Sequence, residues 1–377
     1  MLRPRHISAA LVLGAVFALC AGIAAGPAAS PARARTIAKG LIDTQLEALP
    51  AASTARAGMI KEIHGQLGAR WIRVFADWSA LEPVRGAYSP TELARLDALI
   101  GGLHAAGVKV ILTTSYLPSW ASNSYWWSHP PFGYAPGPRP FYPITSRALK
   151  DYTDLAEFLA LRYKGRVQAL ECWNEPNLWP AIYPQRTAAD PYFAARIYLR
   201  MLKAFHAGVV HAGTGVRVVA GATAPVGFND SSRTSPQRFA RFLERNGASR
   251  YFDVYAHHPY TPGASLYPAP GQPTNDPEHA VTLGNLNTLL RIFPSKPFYL
   301  DEYGYNTRPS KLFGGFCVSE RTQARYLKMA YHVAAQYPQV KLLVWCMDRD
   351  VRDIYSGLRR LNGTRKPAWY AFRALPR

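Results

Sequence analysis

Eight short apolar runs, each followed by a stretch of different periodicity, limit this chain more than any other feature. They cover residues 37–45, 71–78, 108–115, 167–175, 216–222, 252–258, 297–303 and 341–347 and are rich in Val, Ile, Leu, Phe and Tyr. Runs of that kind suit parallel strands buried on both faces. Amphipathic stretches at 54–67, 90–106, 147–163, 192–211 and 321–336 fall between them, and Gly68, Gly107, Gly213 and Gly247 stand where helices should stop. Strand–helix alternation of this length predicts the α/β class and a closed (β/α)8 (TIM) barrel. A doubly wound open sheet also alternates, but no glycine-rich phosphate loop follows the first run. No linker interrupts the pattern, so residues 35–377 read as one domain.

The first 34 residues have another character. Arg3, Arg5 and His6 precede an apolar run over 7–25, and Ala32-Arg33-Ala34 fits a cleavage site. That order is a secretory signal peptide, and the run is long enough to serve as a membrane anchor if it stays uncleaved. Leu19 before Cys20 argues against lipidation. The expectation is a secreted or extracytoplasmic protein, membrane-bound only through this segment. Cys172, Cys317 and Cys346 lack metal-ligand spacing, and neither a metal nor a cofactor is expected. Export permits a disulfide, for which Cys317 and Cys346 are the candidate pair; three small buried thiols are the equal alternative.

Lys and Arg number 44 against 24 Asp and Glu, a formal charge of +20. Such a balance favours acidic partners, anionic glycans among them, although an arginine-rich proteome gives the same number. No arginine tract interleaves with aromatics, so nucleic acid is not expected. The connection after the third run, 116–145, has no helical pattern and contains Tyr116, Trp120, Tyr125, Trp126, Trp127, Phe132, Tyr134, Phe141 and Tyr142. In a barrel it lies on the C-terminal face, where active sites form. Its rings are read as part cleft wall for sugar and part self-packing.

Two carboxylates carry the chemistry. The fourth run ends Glu171-Cys172-Trp173-Asn174-Glu175-Pro176-Asn177, and the seventh ends Leu300-Asp301-Glu302-Tyr303-Gly304. A barrel gathers all its strand ends on one face, so Glu175 and Glu302 can meet despite their distance in sequence. Opposed carboxyls are what glycoside hydrolysis needs, one giving a proton to the leaving oxygen and one attacking the anomeric carbon.

Trp173-Asn174-Glu175-Pro176-Asn177 resembles the hallmark of the clan A retaining glycoside hydrolases, (β/α)8 enzymes that include family 5 cellulases and family 39 xylosidases and iduronidases. Further matches follow in order: Gly68-Ala69-Arg70-Trp71-Ile72-Arg73, Pro118-Ser119-Trp120, His258-Pro259-Tyr260, Glu302-Tyr303-Gly304, and Trp345 with Lys366-Pro367-Ala368. The resemblance implies Glu175 as acid/base and Glu302 as nucleophile. It implies substrate-binding roles for Asn174 at the sugar 2-hydroxyl, Arg73 beneath Glu302, Tyr260 as donor to Glu302, Trp345 as floor, Trp120, and His258, with His257 as its rival. Thr113, Thr114, Ser115 and Tyr116 occupy the end of the third run, where family 5 enzymes commonly carry a histidine, which leans the resemblance towards family 39 or an unclassified branch of the clan. Asp301 is unusual beside a nucleophile, and strand alternation predicts that it points away from the cleft.

The function expected is therefore a retaining glycosidase acting on a poly- or oligosaccharide. The alternatives are a catalytically inactive carbohydrate-binding barrel and a transglycosylase of cell-surface exopolysaccharide.

Overall fold

A computed structural model describes residues 35–131, 133–261, 268–310 and 315–376. The expected signal peptide or anchor, Cys20 and Phe132 lie outside them. Eight parallel strands close a barrel in sequence order: β1 (Ala38–Ile42), β2 (Trp71–Asp77), β3 (Lys109–Ser115), β4 (Ala169–Glu171), β5 (Arg217–Thr223), β6 (Val254–His257), β7 (Phe298–Tyr303) and β8 (Val340–Cys346). β1 pairs with β8 from Ala38↔Leu342 to Ile42↔Cys346, which seals the ring.

Alternation along each strand builds two cores. Ile111, Ala169, Val219, Val254, Tyr299 and Leu342 fill the barrel. Their neighbours Leu112, Leu170, Val218, Tyr255, Leu300 and Leu343 face the helices. Each such side chain contributes about 1.5–3 kcal/mol when fully buried.

Helices Ala55–Lys61, Pro90–Ala105, Ala148–Arg162, Phe193–Ala212 and Glu320–Ala335 cover the outside. Local signals set their ends. Ser89 accepts from Glu92 N ahead of a proline at the first helical position, and Gly213 closes Phe193–Ala212 with φ 59°. Gly208 lies where this helix meets Ala148–Arg162; a Cβ there would fall 2.1 Å from Thr153 O. Gly208→Ala would push the two helices apart.

Three expectations need adjusting. The stretch 54–67 changes to a π-helical turn at Glu62–Gln66. Helix Pro236–Arg245 was not foreseen; Phe239, Phe242 and Leu243 mark its buried face between arginines. Between β6 and β7 the described helices are the short turns Leu283–Asn285 and Asn287–Leu290, so the sixth unit is the irregular one. Among the described residues no helix is long and apolar enough to cross a membrane.

The cysteine pairing is not made. Cys317 is exposed and Cys346 is buried, and both are free, as is Cys172. Cys346 belongs to the inner core of the barrel, while Cys317 lies on the segment leading into the outer helix Glu320–Ala335.

Candidate active site

β4 ends at Glu171, four residues before Glu175, because the chain leaves extended geometry there. Trp173 has φ 71° and Glu175 φ 44°, left-handed values that L residues adopt only under constraint. The constraint comes from neighbours. Glu175 N donates to Ala222 O at 3.0 Å. The Asn177 side chain, fully buried, donates to Ala224 O and Thr234 O and accepts from Ala224 N. Asn177 is a positioning residue that sequence reasoning left without a role.

β7 reaches the same cleft differently. Its pairing with β8 slips, Leu300↔Leu343 being followed by Tyr303↔Trp345, so three steps on β7 oppose two on β8. The extra residue is a β-bulge, and it lets Asp301 and Glu302 both turn inward while Tyr303 packs outside. Asp301 therefore does not point away, as alternation counted back from an inward Glu302 predicts; it follows Leu300 inward, and the bulge turns Glu302 in beside it. It is fully buried, with Oδ2 3.3 Å from Arg73 Nε and Oδ1 3.5 Å from His258 Nε2.

Arg73, from the inward face of β2, ties the floor together. Its guanidinium donates to Glu302 Oε2 at 3.1 Å, to Asn174 Oδ1 at 2.8 Å and to Glu171 Oε1 at 3.0 Å. Burial opposes its charge, but Glu171, Asp301 and Glu302 outweigh burial and hold its pKa above the ordinary value. Burial pushes against the charge of Glu171, yet the neighbouring Arg73 brings its pKa below the usual range. Thr113 donates to the same Glu171 oxygen.

The remaining partners come from the segment that leaves β6. Tyr260 OH donates to Glu302 Oε1 at 2.8 Å, and burial keeps this phenol protonated by pushing its pKa up. His258 Nδ1 lies 2.9 Å from Glu175 Oε1 and 3.7 Å from Glu302 Oε2, so one imidazole nitrogen faces both carboxyls. The rival His257 faces the outer shell, between Thr223 Oγ1 and Val281 O, and burial lowers its pKa to about 3. Side chains of Glu175 and Glu302 are 26% and 21% exposed, enough to be reached from solvent. They open into a cavity of about 500 Å³ walled by Ile42, Phe75, Tyr116, Pro140, Trp173, Leu178, Met347 and Ile354, with Thr44, Ser115 and Asn174 as polar members.

Backbone comparison gives this geometry a context. At the level of sequence, no family model and no curated protein matches the chain. Among solved structures, a family 39 glycoside hydrolase from the gut symbiont Bacteroides cellulosilyticus superposes with TM-score 0.65 at 19% identity, over 90% of this chain and 63% of that one. A family 5, subfamily 18 enzyme from Streptomyces cattleya, solved with Manβ1-4GlcNAc, gives 0.62 at 16% identity over 90% and 79%. A family 113 β-1,4-mannanase gives 0.52 at 13% over 90% and 98%. The chain shares the fold of clan A glycoside hydrolases. It spans less than two thirds of the family 39 enzyme's length.

In this glycosidase fold the structure brings Arg73, Asn174, Glu175, His258, Tyr260 and Glu302 together. It does not bring in the two tryptophans. Trp345 is fully buried, its Nε1 on Ser356 O, in the layer between barrel and helices. The inward positions beside it are Val344 and Cys346, so the expected floor is one residue off and Cys346 and Met347 line the cleft instead. Trp120 stands edge-on to Trp78 at 5.5 Å and donates to Glu82 O, away from the cavity walls. The aromatic connection divides: Phe141 and Tyr142 are buried, Tyr125 stacks on His129, and Tyr116 reaches the cavity. Glu171 was also missed as part of the floor. Its signal was present, since alternation from Ala169 turns Glu171 inward.

Proposed function

We propose that the chain is a retaining glycoside hydrolase in which Glu302 attacks the anomeric carbon and Glu175 is the acid/base. The observation that carries this reading is the pair of carboxyls facing one imidazole nitrogen. Contacts of 2.9 and 3.7 Å to that atom leave no room for the wide gap of about 6.5–9.5 Å that inverting enzymes use to seat a water, except at its lowest edge. The partners divide the roles. Glu302 accepts from Tyr260 and Arg73, and these donors leave it a fixed carboxylate beneath the sugar. Among the described residues the Glu175 carboxyl has a hydrogen-bond contact with His258, on a loop at the cleft's edge where a leaving group departs. Asn174, held by Arg73 through its oxygen, keeps its amide N–H for the sugar 2-hydroxyl.

The reaction then has two steps. Glu302 displaces the aglycone to give a glycosyl-enzyme as Glu175 protonates the departing oxygen, and Glu175 next deprotonates the water that releases the sugar. Among the described residues no lysine or arginine lines the cavity, so a neutral sugar fits the cleaved position better than an acidic one. Action outside the cell follows from the leader-like N-terminus. The neighbours solved with Manβ1-4GlcNAc make β-mannosides the first members of a test panel. Incubation with 2-deoxy-2-fluoro β-glycosides, followed by intact mass and peptide mapping, should show one adduct on Glu302. Label on any other residue refutes the assignment.

A further inference from the structure

Below the two glutamates the barrel encloses more acid than Arg73 can neutralise. Glu171 from β4, Asp301 and Glu302 from β7 all lie within 3.3 Å of its guanidinium. His258 from β6 and the Thr113 hydroxyl from β3 complete the surroundings of Asp301 and Glu171. Glu171 and Asp301 are fully buried. Among the described residues neither Asp301 oxygen accepts a hydrogen bond, and Glu171 Oε2 has no donor either. Ionised carboxylates are not left enclosed in that state, because nothing replaces the water they lose. One proton supplies the donor that both groups lack.

We propose that Asp301 is an uncharged positioning residue, sharing a proton with Glu171 and orienting His258 behind the two catalytic glutamates. The proposal rests on the glycosidase reading above. Asp301 donates its O–H to Glu171, which keeps its charge for Arg73. The other Asp301 oxygen faces His258 Nε2, a ring nitrogen with no other partner. It accepts that N–H, fixes the tautomer, and leaves the Nδ1 lone pair towards the Glu175 proton. Arg73 is then balanced by Glu171 and retains an arm for Glu302. The bulge in β7 makes this possible: Asp301 follows Leu300 inward, and the extra residue turns Glu302 inward beside it, where a regular strand would carry Glu302 to the outer core. Burial and the neighbouring Glu171 both drive the Asp301 pKa far up, in keeping with a held proton.

The test compares Asp301→Ala and Asp301→Asn in the full chain. Asp301→Ala should lower kcat about 10-fold or more with KM within about threefold, and should displace the alkaline limb of the pH–rate profile. Asp301→Asn, which donates and accepts in the same places without charge, should recover most of that loss and restore the limb. Infrared difference spectroscopy of wild type against Asp301→Asn at neutral pH should show a protonated-carboxyl band present only in wild type. An Asn variant as damaged as the Ala variant, or a wild type without the band, overturns the proposal. Persistent hydrolysis in Glu302→Ala would instead overturn the glycosidase reading, and the infrared band would still decide where the proton is. If Asp301→Ala does not fold, the Asn variant and the band carry the test alone.

Discussion

β4 and β7 each deliver a glutamate to the same cleft, but β4 does so after its ladder has ended and β7 does so within it. At β4 the ladder stops at Glu171, and Glu175 hangs on a left-handed turn held by Ala222 and by Asn177. At β7 the strand continues to Tyr303 and gains its inward residue from a bulge. The two solutions leave different surroundings. Glu302 is gripped by Tyr260 and Arg73, whereas Glu175 has one side-chain partner, His258. A nucleophile must sit still beneath a sugar ring, while an acid/base must meet first a leaving group and then a water. Ladder geometry suits the first task and a pinned loop the second.

Substitution of the two glutamates tests that division most severely. Glu302→Ala should remove at least about 10⁴-fold of kcat/KM for every substrate, because no other group is placed to form the covalent bond. Glu175→Ala should cost about 10²–10⁴-fold, but mainly for poor leaving groups. Aryl glycosides with acidic phenols should retain much of their first step, and added azide should give a glycosyl azide of retained configuration in Glu175→Ala and of inverted configuration in Glu302→Ala. Steady-state rates against phenol acidity give the answer. Equal losses for all leaving groups in both variants would erase the distinction between the strands.

The same contrast shows what a sequence can carry. All eight strands were legible, since short apolar runs and amphipathic stretches with glycine stops are local signals. The motif around Glu175 marked the acid/base candidate, and His258, Tyr260 and Arg73 converge on the glutamates as the resemblance implied. Where the reading missed, the cause was register. Asp301 was assigned outward by alternation and Trp345 inward from the resemblance; the bulge between Leu300 and Tyr303, which upsets the first, is a property of β7 against β8, whereas β8 itself alternates regularly and turns Trp345 outward. No residue in β7 alone announces it. Trp120 was missed for another reason: an aromatic on a loop is as easily spent on Trp78 as on a ligand. Helix Pro236–Arg245 was hidden by three arginines in ten residues, which mask a narrow apolar stripe.

A smaller effect should separate the strands by pH. Burial and Glu171 raise the Asp301 pKa in the folded protein above its unfolded value of about 3.9. Between those two values the folded state binds the extra proton, so stability falls as pH rises through the window. The loss amounts to about 1.4 kcal/mol for each unit of elevation. Asp301→Asn carries no such penalty. Thermal melts should therefore show the variant gaining on wild type as pH increases from about 4 towards neutrality. A constant difference across that range would mean that Asp301 titrates normally and that β7 tolerates an ionised residue in its bulge.

The mildest test concerns the partner strand that makes the bulge visible. Trp345 of β8 faces Tyr303 across the outer layer, with ring centroids 6.2 Å apart, and its Nε1 satisfies Ser356 O. Trp345→Phe keeps an aromatic ring there and removes one buried hydrogen bond. It should lower stability by about 1–3 kcal/mol through the unsatisfied carbonyl and the lost volume. KM should stay as it is, because Val344 and Cys346, not Trp345, turn into the barrel. Met347→Ala is the opposite case. Met347 lines the cleft, so its truncation should raise KM more than it lowers the melting temperature relative to Trp345→Phe. Both can be read from one melting curve and one saturation curve per variant. A Trp345→Phe variant with weakened substrate binding and an intact melt would put the tryptophan back at the sugar. It would also mean that β8 is shifted by one residue relative to the register described, which would take the bulge at Asp301 with it.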